Sequence, residues 1–153
     1  MSENKIVVKY LDGKIIKGFS SDFDPNRAVF HIVLVGKDME TATEETVEVK
    51  LEEIKAVFFV KSFIGNREYK KVRTFTGHNL EDPIHPKIVV VFRDGENFYG
   101  STYSYSPEEI GFFVFPIDQQ DNNERVFVPK SSLQKVHVKK FGSNDFDIYL
   151  YED

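Results

Sequence analysis

Hydrophobic residues occur in short runs along the chain, separated by turn residues, and the run at residues 5–11 recurs at residues 87–93. Aligned without a gap, residues 5–35 and 87–117 are identical at 9 of 31 positions. Both copies contain an Asp-Gly pair, at Asp12-Gly13 and Asp94-Gly95, which favours a tight hairpin because Gly accepts a positive φ. The sequence therefore predicts two copies of one β-rich unit.

The alternation of apolar and polar residues predicts five short strands and an extension strand in each copy. In the first copy the predicted strands are residues 5–11, 14–23, 29–35, 46–50, 56–63 and 68–75. In the second copy the third to sixth strands are residues 112–117, 125–128, 135–141 and 146–151. One 3₁₀ turn is predicted before each fifth strand, at residues 51–54 and 130–133, and no helix of normal length is expected.

The second strand of each copy is predicted to bend. Ile16 and Phe23 both have the character of core residues, yet seven positions separate them, so a regular strand would place them on opposite faces. Gly18 lies between them and predicts a bulge or a sharp bend that returns both side chains to one face. The second copy keeps the arrangement, with Phe98, Gly100 and Tyr105.

These elements predict an all-β fold made of two tandem small SH3-like or Sm-like barrels. The predicted boundaries are residues 1–76 for the first barrel, 77–86 for a linker and 87–153 for the second barrel. A unit of about 75 residues buries little surface by itself. We therefore expect the two barrels to pack together as a pseudo-dimer.

The second copy also resembles an uncharacterised bacterial small-barrel family. The resemblance rests on Asp94, Gly95, Gly100, Tyr105, Pro107 and the run Glu124-Arg125-Val126-Phe127-Val128. The first copy departs from that framework at Glu45-Thr46-Val47-Glu48-Val49, so it lacks the arginine. The resemblance implies a fold but no reaction.

Composition narrows the function classes. The chain has no Cys, which excludes disulfides and thiolate chemistry, and no signal peptide or membrane-length apolar run is visible. A soluble cytoplasmic protein is expected. The net charge is −5: residues 1–60 carry 8 basic and 11 acidic side chains, residues 61–87 carry 6 and 3, and residues 88–153 carry 6 and 11. This acidic balance argues against a nucleic-acid partner, which would have to use the basic connector through Lys70, Lys71 and Arg73.

No group of residues in the sequence has the spacing of a catalytic or metal site, so we expect no enzyme activity, no cofactor and no bound metal. The four His residues (His31, His78, His85 and His137) lack metal-ligand spacing. The loop from Asp118 to Glu124 could hold a cation through oxygen ligands, but it lacks the EF-hand pattern and an ordinary polar hairpin explains it as well.

The strongest candidates for partner binding are Tyr99, Tyr103 and Arg125. The two tyrosines replace Lys17 and Ser21 of the first copy, which indicates exposed positions. Exposed Tyr on a curved sheet can stack bases or bind a peptide, and the alternative is a half-buried face covered by the other copy. The sequence therefore favours a non-enzymatic binding or regulatory module with a protein partner. An Sm-like RNA-binding protein is the alternative, although the expected Gly beside a basic residue is replaced by Val126-Phe127-Val128-Pro129-Lys130.

Overall fold

The computed structural model describes residues 3–64, 86–103, 105–106, 108–117, 121–140 and 142–151. Eleven strands lie within these ranges. Those of the first copy are β1 (Asn4–Tyr10), β2 (Ile15–Ser20), β3 (Val29–Val35), β4 (Ala42–Lys50) and β5 (Ile54–Val60). Those of the second copy are β6 (Lys87–Phe92), β7 (Asn97–Ser101), β8 (Gly111–Pro116), β9 (Asn123–Pro129), β10 (Leu133–Lys139) and β11 (Phe146–Leu150). The all-β prediction is confirmed.

The local elements follow the sequence closely. Gly13 and Gly95 both have a positive φ, of 94° and 91°, in the turns after β1 and β6. The 3₁₀ turns Leu51–Glu53 and Lys130–Ser132 stand between the fourth and fifth strands of each copy, as predicted. Short-range signals in the sequence are therefore sufficient to locate the turns.

The described strands form one open antiparallel sheet, in the order β11-β10-β6-β7-β8-β9-β5-β1-β2-β3-β4. Each copy contributes five neighbouring strands in the same relative order, in which the fifth strand lies beside the first. The copies meet where β5 pairs with β9, a contact that we call the seam. The sheet therefore runs from the outer edge of β4 to β11.

Of the bulge and the sharp bend predicted as alternatives at Gly18, the bulge is wrong. The register of β1 and β2 is continuous from Asn4 opposite Ser20 to Lys9 opposite Ile15, and β6 and β7 pair without a shift through Gly100. β2 ends at Ser20, before Phe23, so the two apolar residues need not share one strand. Glycine is required here for another reason: a Cβ on Gly18 would lie 2.1 Å from the Val33 carbonyl oxygen.

The two hydrophobic cores interlock at the seam. The alternating residues Val57 and Phe59 of β5 belong to the core of the first copy, together with Phe127 of β9. The residues between and beside them, among them Phe58 and Val60, belong to the core of the second copy. Because both faces of β5 are buried, this strand is apolar almost throughout, unlike a strand with one solvent-facing side.

The extension strand of the second copy is present as β11, which pairs with the outer side of β10. Tyr105 lies beneath it, with its ring 4.9 Å from those of Phe112 and Tyr149, and its hydroxyl bonds to that of Tyr151. The predicted strand at residues 68–75 and residues 77–85 of the predicted linker lie outside the described residues.

No helix within the described ranges combines the length and the apolar character that crossing a membrane requires.

Candidate functional site

Arg125 lies at the seam, on β9 directly opposite Phe59 of β5. Its guanidinium carbon is 4.4 Å from the centre of the Phe59 ring and 5.0 Å from that of Phe113. The side chain is half-buried, and no ion pair to it occurs in the part of the chain that the structure describes. A guanidinium on aromatic rings is held in place while its N–H groups stay available to an acceptor.

Tyr103 extends this aromatic surface. Its side chain is 62% exposed, and its ring centre is 4.5 Å from that of Phe115. Phe115 and Phe113 are two positions apart on β8, so both project from the same face of the sheet. We call Tyr103, Phe115, Phe113 and Arg125 the aromatic–arginine strip. Two residues singled out from the sequence thus belong to one surface.

Tyr99 lies on the same face of the sheet as Phe115, but it lines a cleft rather than belonging to the strip. Ser101 of β7 is opposite Phe115, and Tyr99 stands two positions earlier on that strand. Its side chain is half-buried rather than exposed and lines a cleft of about 460 Å³ together with Lys135 and His137. Burial lowers the pKa of His137 below its usual value, and the positive charge of Lys135 adds to the effect. The cleft and the strip are separate features.

The first copy has ionisable side chains at two positions where the second copy has phenylalanine. In the repeat alignment, His31 replaces Phe113, Thr46 replaces Arg125 and Glu48 replaces Phe127. The His31 Nδ1 atom is 2.8 Å from Oδ2 of Asp22, and its Nε2 atom is 3.9 Å from Oε2 of Glu48.

Asp22 is the best-anchored carboxylate of this group. Burial raises its pKa, but hydrogen bonds from the His31 backbone and ring and from the Ser20 hydroxyl outweigh that effect, so the pKa of Asp22 is lowered overall. Asp22 therefore carries a negative charge at neutral pH. We call Asp22, His31 and Glu48 the acidic triad.

An ion pair links the copies at the other end of the seam, and sequence reasoning missed it. Lys55 Nζ of β5 lies 2.7 Å from Oδ2 of Asp94 and 2.5 Å from Oε1 of Glu96. Burial lowers the pKa of Lys55, but the two carboxylates outweigh it and the pKa is raised; the hydrogen bond from Lys55 lowers the pKa of Asp94. The sequence predicts a tight turn at Asp94-Gly95 and no ion pair. The only sequence signal was a lysine in an otherwise apolar strand.

In the described part of the acidic loop, the side chains of Asp121 and Asn122 form hydrogen bonds to the backbone. Asp121 is buried, and its Oδ1 accepts a hydrogen bond from the Asn123 N–H at 2.9 Å. Asn122 is bonded through its side chain to the Ser62 backbone. Asp118 lies outside the described residues. Within the described ranges, no three His, Asp or Glu side chains come close enough to hold a metal ion.

The basic connector residues Lys70, Lys71 and Arg73 also lie outside the described residues, as do His78, His85 and Pro107.

The protein is all-β, and one sheet carries both the aromatic–arginine strip and the acidic triad. The chain belongs to a family of unknown function (DUF6982), whose profile matches residues 2–140 and so includes the first copy and the second copy as far as β10. Comparisons with curated proteins and with solved structures gave no match.

Proposed function

We propose that the protein is a non-enzymatic binding module that recognises a protein partner through the aromatic–arginine strip. The observation that carries this proposal is the position of Arg125, stacked on Phe59 and Phe113 in a strip that also contains the exposed ring of Tyr103. Arg and Tyr are enriched among the residues that dominate binding energy at protein interfaces.

The proposal includes two tandem SH3-like small barrels packed as a pseudo-dimer. The shared strand order and the 3₁₀ turn before each fifth strand support this arrangement. The seam joins the fourth strand of one copy to the fifth strand of the other. In this arrangement, the second copy supplies the strip and the first copy supplies one of the rings that hold its arginine.

The chemistry of the strip supports an acidic partner segment. A half-buried guanidinium favours a carboxylate, because the bond is charge-assisted and the arginine is already positioned by the rings. The flanking rings of Phe115 and Tyr103 favour an apolar side chain next to that carboxylate. We therefore expect a partner segment in which Asp or Glu stands beside an apolar residue.

Panning a displayed random-peptide library on the purified protein tests this proposal. We expect enriched peptides to combine an acidic and an apolar residue, and we expect Arg125→Gln to reduce their affinity by about tenfold, which is the loss of one charge-assisted bond. Arg27→Gln is the matched control, because Arg27 is an exposed arginine in a turn of the first copy. Enrichment without acidic residues, or equal losses in both variants, would contradict the proposal.

The Sm-like alternative is tested by fluorescence polarisation with labelled poly-U and a mixed-sequence RNA at about 150 mM salt. Nucleic-acid affinity depends on several cations that neutralise phosphates, and the chain carries a net charge of −5. We expect weak binding that salt abolishes. A dissociation constant below about 1 μM, tighter than typical non-specific binding, would favour the RNA-binding alternative.

A further inference from the structure

Among the described strands, none pairs with the outer edge of β4, whereas the same edge of its counterpart β9 is covered by β5. Within the described parts of the chain, β3 is the one strand that pairs with β4, and every residue of β4 except Val47 and Val49 is exposed. An open edge presents N–H and C=O groups at the spacing that an incoming strand needs. The pairing of β9 with β5 in the seam therefore serves as a template for how a strand could pair with the equivalent edge of β4.

The register of the seam can be transferred to β4. In the seam, Val57, Phe58 and Phe59 stand opposite Phe127, Val126 and Arg125. The corresponding β4 residues are Glu48, Val47 and Thr46. The β3–β4 register is regular from Val29 opposite Lys50 to Val33 opposite Thr46, so residues 46–50 form a straight ladder. An added strand would place successive side chains opposite Glu48, Val47 and Thr46.

The acidic triad determines which side chain fits opposite Glu48. In the seam, Val57 meets the apolar ring of Phe127 at this position. On β4 the same position offers the carboxylate of Glu48, with the Nε2 atom of His31 3.9 Å from Oε2 and the Asp22 carboxylate on the far side of the imidazole. Opposite charges facing each other across a strand pair are stabilising, so Lys or Arg is favoured here. Val47 favours an apolar side chain at the next position.

A second copy of the chain paired through β4 about Thr46 does not meet these requirements. Antiparallel pairing of two β4 strands about Thr46 would set Glu44 against Glu48 on both sides, and like charges directly opposite are destabilising. The register of β3 and β4 also shifts between Val33 and Val35, which interrupts the edge beyond Thr46. The strand equivalent to β5 in the second copy, β10, already has β11 on its outer side.

We infer that the Thr46–Lys50 edge of β4 binds an extended segment of a partner protein in which basic and apolar residues alternate. The segment adds a strand to the sheet, with Lys or Arg opposite Glu48 and an apolar residue opposite Val47. This surface is distinct from the aromatic–arginine strip, and it takes a segment of the opposite charge.

A labelled peptide in which Lys and Val alternate between Gly-Ser flanks tests this inference by fluorescence polarisation. We expect saturable binding to the full chain, and we expect Glu48→Lys to weaken it by about tenfold by reversing the facing charge. Glu124→Lys is the matched control: it makes the same charge change at an exposed residue of β9 and should have a much smaller effect. Equal losses in the two variants would show general charge attraction only and would overturn the inference.

A second peptide with Pro at alternate positions keeps the basic charges but loses backbone donors, so it should not bind. Hydrogen exchange should show that the first peptide protects amides in residues 46–50 of β4. Three results would overturn the inference: equal binding of the proline peptide, protection located elsewhere, or no binding at about 1 mM peptide. Self-association of the wild-type protein that Glu48→Lys abolishes would assign the edge to a second copy and overturn it as well.

Discussion

The two fourth strands, β4 and β9, occupy equivalent places in the repeat but differ in their surroundings. β9 is buried from Val126 to Pro129 and has a neighbour on both sides, whereas β4 is mostly exposed and is the last of the described strands in the sheet. The difference follows the sequence at two positions, where Phe127 and Phe113 of the second copy correspond to Glu48 and His31 of the first. One scaffold thus forms an internal seam with aromatic residues and an external edge with ionisable ones.

Separating the copies should have the largest effect. A fragment of residues 1–76 loses β9, which covers one side of β5, and a fragment of residues 83–153 loses β5, which contributes to its core. We expect neither fragment to be a stable monomer, because each would expose the apolar surface of the seam. Thermal unfolding with sedimentation checks this. Two monomeric fragments that melt near the temperature of the full chain would contradict it.

Shortening Phe127 to Ala should destabilise the whole protein by about 3–5 kcal/mol, the usual cost of removing a buried phenyl ring. The side chain is fully buried in the core of the first copy although it belongs to the second. Urea unfolding gives the free energy. Glu48→Ala is the matched control at the equivalent position of β4, and it should change stability by no more than about 0.5 kcal/mol. Similar losses of stability in both variants would mean that β9 is no more important to the core than β4.

Turns and strands, which depend on neighbouring residues, could be predicted from the sequence. The pairing of strands between the copies, which depends on distant residues, could not. Asp-Gly pairs, strand alternation and the 3₁₀ turns are local signals, and they placed most strand boundaries within a few residues. The pairing of β5 with β9 joins residues about 70 positions apart, such as Val57 and Phe127, and no local pattern encodes such a pair. The apolar run of Ile54–Val60 was the available signal, because a strand buried on both faces reads that way.

The candidate site was predicted in the same uneven way. Comparing the two copies singled out Tyr103 and Arg125, because the first copy lacks both. The rings that position Arg125 were not identified, since Phe59 comes from the other copy. The acidic triad was missed because Asp22, His31 and Glu48 come from three separate segments.

In both copies the second strand has a glycine that closely approaches the third strand, so replacing it should reduce stability by a similar amount in each copy. A Cβ on Gly18 would lie 2.1 Å from the Val33 carbonyl oxygen, and one on Gly100 would lie 2.3 Å from that of Phe115. We expect Gly18→Ala and Gly100→Ala each to destabilise by about 1–3 kcal/mol, because the neighbouring strand must move. Gly36→Ala is the control, since its nearest contact would be 3.4 Å. Wild-type stability of either strand variant in urea unfolding would contradict the close approach.

The smallest expected effect is on stability at the two Asp-Gly turns, and it should differ between them in its dependence on pH. Asp12 and Asp94 each accept a backbone hydrogen bond at 2.9 Å, from Lys14 and Glu96. Asp94 also pairs with Lys55, while Asp12 has no ion pair in the described ranges. Because about half of the Asp94 side chain is exposed, Asp94→Asn should cost no more than about 1 kcal/mol at pH 7.

The pH dependence of that cost gives the sharper test. The lowered pKa of Asp94 means that its contribution is present above the unfolded value of about 3.9 and is lost as pH falls through the folded pKa. The raised pKa of Lys55 means that its contribution is present below 10.5 and is lost as pH rises through the folded pKa. The free energy of unfolding of Asp94→Asn should therefore approach that of the wild type at both extremes, whereas Asp12→Asn should stay close to it throughout. Matching profiles for the two variants in urea unfolding between about pH 3 and pH 11 would show that the Lys55 ion pair does not stabilise the seam.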